Sequence, residues 1–247
     1  MQLIIDIGNT RTKIVLFEKG QIVSRYYPKS FNIKWLEDLK SKQPFDSAIL
    51  SSVNHDNHGV ENWLAQSCFF IKLTHTTAIP IKNNYKTPQT LGKDRLAAAV
   101  GAFALYPQKN CLVVDAGTCM TYEWLSEAGI YKGGNIAPGI EMRFRAMHEF
   151  TAKLPLVGKQ RLSDWIGFNT ETALQMGGQM GAVLEIEGFV ARYEREYGSI
   201  QLILTGGDAA TIAEHLDIEN FIINEDIVLI GLYKILKYNA NLLESTD

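Results

Sequence analysis

Cysteine is scarce in this chain: Cys68, Cys111 and Cys119 are an odd three among 247 residues, sit in apolar surroundings and show no CxxC spacing. The spacings of a zinc site and of a dithiol redox pair are therefore missing, and the three read as reduced thiols of a cytosolic protein. Excess charge of either sign is lacking too. Lys and Arg total 24 against 27 Asp and Glu, a formal charge of -3, so nothing draws the chain as a whole to nucleic acid or to an anionic membrane. Long hydrophobic runs are also missing. Met1 to Ile5 is broken by Asp6, and no later stretch nears the roughly 18 residues of a membrane span. No signal peptide, anchor, nucleic-acid partner or membrane partner is expected, and the expected location is the cytoplasm. With 7 prolines and 20 glycines against 46% hydrophobic residues, a disordered or collagen-like chain is excluded as well. A chain of this length buries about 70 to 75% of its unfolded surface without covalent staples.

What is present is a repeated opening. Leu3-Ile4-Ile5 reads as a buried strand that ends at the turn-forming cluster Asp6-Ile7-Gly8-Asn9-Thr10. Lys13 to Phe17 is a second strand, and Glu18 to Gln21 reverses the chain before Ile22 and Val23, giving a β-meander. The same order returns at Leu112-Val113-Val114, Asp115-Ala116-Gly117-Thr118, Thr121 to Leu125, Glu127-Ala128-Gly129 and Ile130-Tyr131. Aligning Asp6 with Asp115 also aligns Gly8 with Gly117, and Thr10 meets Thr118 after a one-residue gap. This is an internal duplication.

Helical patterns fill each half at Ile33 to Lys40, Val60 to Gln66 and Arg95 to Leu105, then at Thr170 to Glu196, Ala210 to His215 and Ile227 to Tyr238. Gly177, Gly178 and Gly181 inside the longest of these point to close packing or a kink. Ala48 to Val53, Phe69 to Leu73 and Ile200 to Leu204 complete the strands. The expected fold is α/β, with one lobe over residues 1–109, a second over 110–247, and a cleft between them.

Several clusters suit chemistry, and each also has a plain structural reading. Asp6 to Thr10 joins an acceptor-only carboxylate to a glycine turn whose N–H groups and hydroxyl can face a phosphate and its magnesium, with Lys13 in reach. One such copy is an ordinary β-turn as readily as a binding loop; two copies opening two lobes favour a nucleotide gripped from both sides. Asp94, in Gly92-Lys93-Asp94-Arg95, reads as the N-cap of the following helix, or as a general base with Arg95 beside it to fork onto a substrate carboxylate. Gly133 to Gly139 is dense in turn residues and reads as a surface loop or a ligand loop. Thr205-Gly206-Gly207-Asp208 is a strand-to-helix turn, or a place where adenine lies against backbone. His55 with His58 lacks further metal ligands, Arg143 with Arg145 reads as a solvated helix face, and Cys119 reads as core.

Taken together, these residues resemble the type III pantothenate kinases, members of the superfamily of actin, sugar kinases and heat-shock proteins with duplicated ribonuclease-H-like (actin-like ATPase) domains. The residues that carry the resemblance are Asp6 to Lys13, Tyr85 with Pro88, Leu91 to Arg95, Asp115 to Thr118, Gly133 to Gly139, and Asn169-Thr170. The resemblance implies two lobes, each a mixed sheet flanked by helices, and ATP-dependent phosphorylation of pantothenate, the first step of coenzyme A synthesis. It implies magnesium, a monovalent cation (K+ or NH4+), and a homodimer. Residue by residue, it implies that Asp6, Gly8, Asn9, Thr10 and Lys13 form the first phosphate loop, with Asp6 toward magnesium through water. Asp115 would bind the monovalent cation and Thr118 a phosphate of ATP. Tyr85, Gly92, Lys93, Asp94 and Arg95 would line the pantothenate pocket, with Asp94 as base, and Thr170 would reach pantothenate from the partner subunit. Cys119 and Glu123 depart from the family pattern, in which a small residue and an Asp are common. A non-catalytic nucleotide-binding regulator on the same fold is the alternative, and a kinase for another hydroxy acid or sugar is a third reading. A base beside a carboxylate clamp favours the enzyme.

Overall fold

Leu3, Ile4 and Ile5 are all buried, an unbroken apolar run of the kind a strand carries when both its faces are covered. They lie in β1 (Gln2–Ile7), which with β2 (Thr12–Glu18) and β3 (Gln21–Tyr26) forms the expected antiparallel meander. The computed structural model describes residues 1–8, 11–52, 58–162 and 164–245. After α1 (Ile33–Lys42), β4 (Ser47–Ser52) joins the free side of β1 in parallel, and after α2 (His58–Ser67), β5 (Phe69–Lys72) joins β4. The sheet order is β3-β2-β1-β4-β5. Leu36, Leu39, Val60 and Leu64 of the two helices pack on Leu3, Ile5, Ile14 and Leu16. Asn32 caps α1, its Oδ1 accepting the Trp35 N–H at 3.0 Å. A two-residue strand, β6 (Lys82–Asn83), and a 3-10 turn at Pro88–Thr90 lead into α3 (Lys93–Leu105), buried along Arg95 to Ala102.

A second sheet repeats the first. β7 (Asn110–Ala116), β8 (Cys119–Leu125) and β9 (Ile130–Pro138) form an antiparallel meander. It is followed by α4 (Ile140–Glu149), α5 (Thr170–Gln175), a π-helical turn at Met176–Met180, and α6 (Gly181–Tyr197). Then come β10 (Ile200–Thr205), α7 (Ala209–Ala213) and β11 (Phe221–Ile223). β10 joins β7 in parallel and β11 joins β10, so the order β9-β8-β7-β10-β11 matches β3-β2-β1-β4-β5 strand for strand and sense for sense. Even the irregularity recurs: pairing slips at Leu16/Phe17 in one meander and at Trp124/Leu125 in the other.

The glycine-dense stretch from Gly133 differs from its reading as a loop, because all of it up to Pro138 is strand β9. A Cβ on Gly134 would lie 1.5 Å from the Tyr122 carbonyl oxygen, so β9 can lie this close to β8 only without a side chain there. Gly133, at φ +104°, sits where the pairing slips, next to the unpaired Lys132. The long helical pattern from Thr170 is likewise broken by the π turn. A Cβ on Gly178 would lie 2.3 Å from the Phe144 ring, so close packing and irregularity coincide there. In the core of this sheet Trp124 stacks against Tyr197 and contacts Tyr193, at 4.8 and 5.0 Å between ring centroids. The carboxylate of fully buried Glu123 accepts the Tyr131 hydroxyl at 2.6 Å.

The final helix, α8 (Ile227–Glu244), does not group with the residues that precede it. By contact the chain divides into Met1–Leu105 with Asp226–Asp247, and Tyr106–Glu225, so the first unit takes α8, which the division at 109/110 gives to the second. The physical reason is a glycine-to-backbone fit. A Cβ on Gly231 would lie 1.8 Å from the Ala97 carbonyl oxygen, and one on Gly101 would lie 2.1 Å from that of Ile227. Tyr233 adds a stack on Phe17 at 4.3 Å, and Arg25 forms a two-bonded ion pair with Asp226 at the helix start. Among the described residues no helix is long and apolar enough to cross a membrane.

Candidate active site

In the first unit Asp6 stands one residue from the end of β1. Lys13 is its antiparallel partner and Ser51 its parallel one, so cross-strand pairing places the acid and the base on one face of the sheet. The turn closes through a bond from the Gly8 N–H to the Arg11 carbonyl at 3.1 Å. Asn9, Thr10 and His55 lie outside the described residues, which leaves the proposed His55–His58 pair without a described geometry.

The Gly92 to Arg95 motif forms the first turn of α3. The Leu96 N–H donates to the Gly92 carbonyl at 3.2 Å, so Gly92 holds the N-cap place read for Asp94, and Asp94 is the second helical residue. Its Oδ1 accepts the Arg95 N–H at 2.8 Å, and a Cβ on Gly92 would lie 2.6 Å from that oxygen. Glycine thus makes the space in which the carboxylate lies. Arg95 is buried, its guanidinium 5.9 Å from the ring centre of Tyr85, whose N–H is held by Asn83 Oδ1 at 2.9 Å. The structure thereby brings Tyr85, Gly92, Asp94 and Arg95 together. Lys93 departs from them: its ammonium donates to the Ser52 carbonyl at 2.9 Å and faces a pocket of about 240 Å³. Lys72, His75, Asn83 and Gln89 share that pocket, whereas Tyr85, Asp94 and Arg95 do not line it. Burial, and then the nearby Lys72 ammonium, hold the Lys93 pKa below the ordinary lysine value.

In the second unit Asp115 takes the equivalent place near the end of β7, with Thr121 and Thr205 as its register partners. Three turns interlock around it through main chain. The Gly117 N–H donates to the Cys119 carbonyl at 3.0 Å, the Gly139 N–H to the Thr118 carbonyl at 3.2 Å, and the Asp208 N–H to the Ala116 carbonyl at 2.9 Å. A Cβ on Gly139 would lie 2.1 Å from the Gly117 oxygen. One on Gly206, at φ +91°, would lie 2.4 Å from the Ala116 oxygen and 2.5 Å from Asp115 Oδ1. Bare backbone at both positions lets these turns close on the Asp115 loop, and Thr118 is exposed at the tip. Thr170 is exposed at the first position of α5. Asn169 caps that helix, its Oδ1 accepting the Thr172 N–H at 2.9 Å while the Thr172 hydroxyl accepts the Asn169 N–H at 3.1 Å. Arg143, read as solvated, is instead tied by Glu185 at 2.7 Å and by its own donation to the Pro138 carbonyl at 2.9 Å.

Two pairings are absent from the sequence reading, which takes Thr205 and Asp208 only as the ends of a strand-to-helix turn. Ser51 and Thr205 occupy matching register places beside Asp6 and Asp115, and both are buried polar residues at strand ends. Only the strand pairing reveals the match, although each hydroxyl at the end of an apolar run was a usable signal. The second feature is Asp208, whose buried carboxylate is paired with Lys159 rather than turned to its own helix. Among the described residues no cluster of three or more His, Cys, Asp or Glu side chains could hold a metal ion by itself.

Comparison with known proteins identifies the family and the fold. The sequence pattern of the type III pantothenate kinases matches residues 2–192. A type III pantothenate kinase of Phocaeicola vulgatus is 40% identical over 243 residues, covering 98% of this chain and 100% of that protein. A solved structure from Campylobacter jejuni, named for the Baf family of transcriptional activators, superposes with a TM-score of 0.61 at 24% identity, covering 97% of this chain and 99% of that one. An inorganic polyphosphate/ATP-glucomannokinase of Arthrobacter sp. strain KM gives 0.50 at 13%, covering 96% and 98%. The two structural likenesses bear on fold alone, and they agree with the duplicated mixed sheets of the actin-like ATPases and sugar kinases. On its sequence and over nearly its whole length, the chain belongs to the type III pantothenate kinases.

Proposed function

We infer that the chain performs its family's reaction, ATP-dependent phosphorylation of pantothenate to 4′-phosphopantothenate, the first step of coenzyme A synthesis. The observation that carries this is the end-to-end identity of 40% with a protein of that name. Phosphoryl transfer leaves a protein little covalent work, so catalysis is positioning together with stabilisation of charge on the transferring group. Asp94 is the general base that orients the substrate hydroxyl, and such a base contributes about 10² to 10⁴ in rate. Arg95 pairs with the pantothenate carboxylate, and Tyr85 and Gly92 line the same pocket. Lys93 belongs to this motif in sequence and anchors it through Ser52. Asp6, Gly8, Asn9, Thr10 and Lys13 form one phosphate loop; Thr118 contacts phosphate from the other, and Asp115 holds the monovalent cation.

Magnesium is usually bound by one or two carboxylates together with substrate phosphates and water. A half-buried carboxylate near a strand end, Asp6, with no three-ligand cluster among the described residues, fits an ion that arrives with the nucleotide. When bound it supplies charge neutralisation at the phosphates.

A homodimer, with Thr170 reaching the partner's pantothenate, is supported by the segment that precedes Thr170. Phe150, Leu156, Trp165, Ile166 and Phe168 are 56 to 86% exposed, an apolar density unusual for a surface that stays in water. The cytoplasm is the location this reading implies. An ADP-release assay with ATP and magnesium, with and without pantothenate, in potassium and then in sodium buffer, tests the reaction and its cation requirement. Pantothenate-dependent release that needs potassium is expected; ATP binding without turnover in either buffer would replace the kinase by the nucleotide-binding regulator.

A further inference from the structure

One side chain ties together the segments that back the Asp115 to Thr118 turn. The Lys159 ammonium donates to Asp208 Oδ1 and lies 3.7 Å from Glu141 Oε1. Asp208 follows Gly206 and Gly207, and Glu141 follows Gly139, so the two acids flank the bare-backbone turns that pack on the Asp115 loop. Asp208 stands at the N-cap place of α7, yet its carboxylate makes no capping bond and its side chain is only 10% exposed. It faces Lys159 instead. The bond to Asp208, ahead of the opposing effect of burial, holds the Lys159 pKa above the ordinary lysine value.

The backbone of Lys159 is fixed on both sides. The Gln160 N–H donates to Gln179 Oε1 at 3.0 Å, and Gln179 Nε2 returns to the Gln160 carbonyl at 2.8 Å. Gln175 Nε2 donates to the Gly158 carbonyl at 3.1 Å, while its Oε1 accepts Gln160 Nε2. Gln175 and Gln179 are both buried, the first just before the π turn and the second within it, a helix irregularity that occurs frequently at functional sites. An ammonium on an otherwise unstructured segment is thus aimed at one buried carboxylate.

We propose that Lys159 is a positioning residue for the nucleotide: through Asp208 it holds the Gly206-Gly207 turn, and through Glu141 the start of α4, against the Asp115 to Thr118 turn. This rests on the reading of that turn as the phosphate-binding one. These walls bear on the bound nucleotide and not on pantothenate, so loss of a clasp on two of the three registers first in nucleotide affinity.

The test is calorimetric ATP binding without pantothenate, followed by KM for each substrate, on the full chain and on Lys159→Ala, Lys159→Gln, Lys159→Arg and Asp208→Asn. Lys159→Ala and Lys159→Gln are expected to weaken ATP binding and raise its KM about tenfold, with the KM for pantothenate within about twofold of wild type. Lys159→Arg is expected to restore most of the affinity, and the Ala and Asn changes combined to cost no more than Lys159→Ala alone. The inference is overturned if Lys159→Ala and Lys159→Gln bind ATP as the wild type does, or if both KM values and Tm move in parallel without rescue by Arg. A wild-type protein that binds no ATP would instead remove the nucleotide reading itself.

Discussion

Adding one methyl group at Gly231 of α8 would oppose two well-known effects. In a helix interior, Gly→Ala gains about 1 kcal/mol from propensity alone. Here the new carbon would lie 1.8 Å from the Ala97 carbonyl oxygen, 2.7 Å from its carbon and 2.9 Å from the Gly101 nitrogen. A comfortable carbon-to-oxygen contact is about 3.3 Å or more, so α3 and α8 would have to part locally by about 1.5 Å. All three neighbours are main chain, and none can rotate aside. A gap of 0.5 to 1 Å already forfeits a quarter to a half of each van der Waals contact across the interface, and Val100, Leu232 and Ile235 are among the buried side chains that line these helices. Overpacking of this kind costs about 1 to 3 kcal/mol, and a backbone obstacle puts the cost at the upper end, so Gly231→Ala is expected to be destabilising by about 1 to 2 kcal/mol net. Gly188 in α6 is the matched control, since it is exposed and a Cβ there meets nothing within 4 Å. Gly188→Ala is expected to stabilise by about 0.5 to 1 kcal/mol. Urea unfolding reads both as shifts in midpoint at constant slope. A Gly231→Ala midpoint at or above that of wild type, or a loss in Gly188→Ala as large as in Gly231→Ala, would refute the reasoning.

Asp94→Asn should lower kcat by about 10² to 10⁴ while ATP affinity measured by calorimetry stays within about twofold; unaltered turnover would return Asp94 to a purely structural role. Arg95→Lys keeps the charge but loses the planar fork and the stack on Tyr85, so the KM for pantothenate should rise at least tenfold with ATP KM little changed, and equal rises in both would argue against a substrate-carboxylate contact. Burial pushes the Cys68 and Cys111 thiols up to about 11. At pH 8 only about a thousandth of each is thiolate, so both should resist a thiol reagent in the native protein, with Cys68 labelling quickening about tenfold per pH unit; complete labelling within seconds at pH 8 would contradict this.

The duplication was legible because each copy opens with an unbroken apolar run that ends in Asp-x-Gly, and strand ends of that kind survive any detail of packing. Asp6 and Asp115 are found where the pattern puts them, each beside a buried hydroxyl. Gly133 to Gly139 departs from its reading for a physical reason: glycine signals conformational freedom in a sequence, whereas here most of the segment is a strand, and at Gly134 it passes too close to Tyr122 for a side chain. Asp94 moved from the cap into the first turn because Gly92 supplied the carbonyl that begins the helix, a difference of two residues that composition does not resolve. Lys159 left no trace, since its segment has no period and its partner lies 49 residues away. The pairing of α8 with α3 was equally invisible, because an apolar helix face does not say which sheet it covers.

That discontinuous first unit has a consequence for how the chain is made. Its sheet and α3 leave a ribosome first, but the helix that covers them comes last, some 120 residues later, after the whole of Tyr106–Glu225. The intervening unit holds β7 to β11 in one stretch and can fold as it emerges, whereas the first must wait with the α3 face uncovered until α8 has been made. A chain cut short after Glu225 would therefore damage the unit made before the cut, and α8 works as a clamp that closes the first sheet only after the second unit has been made.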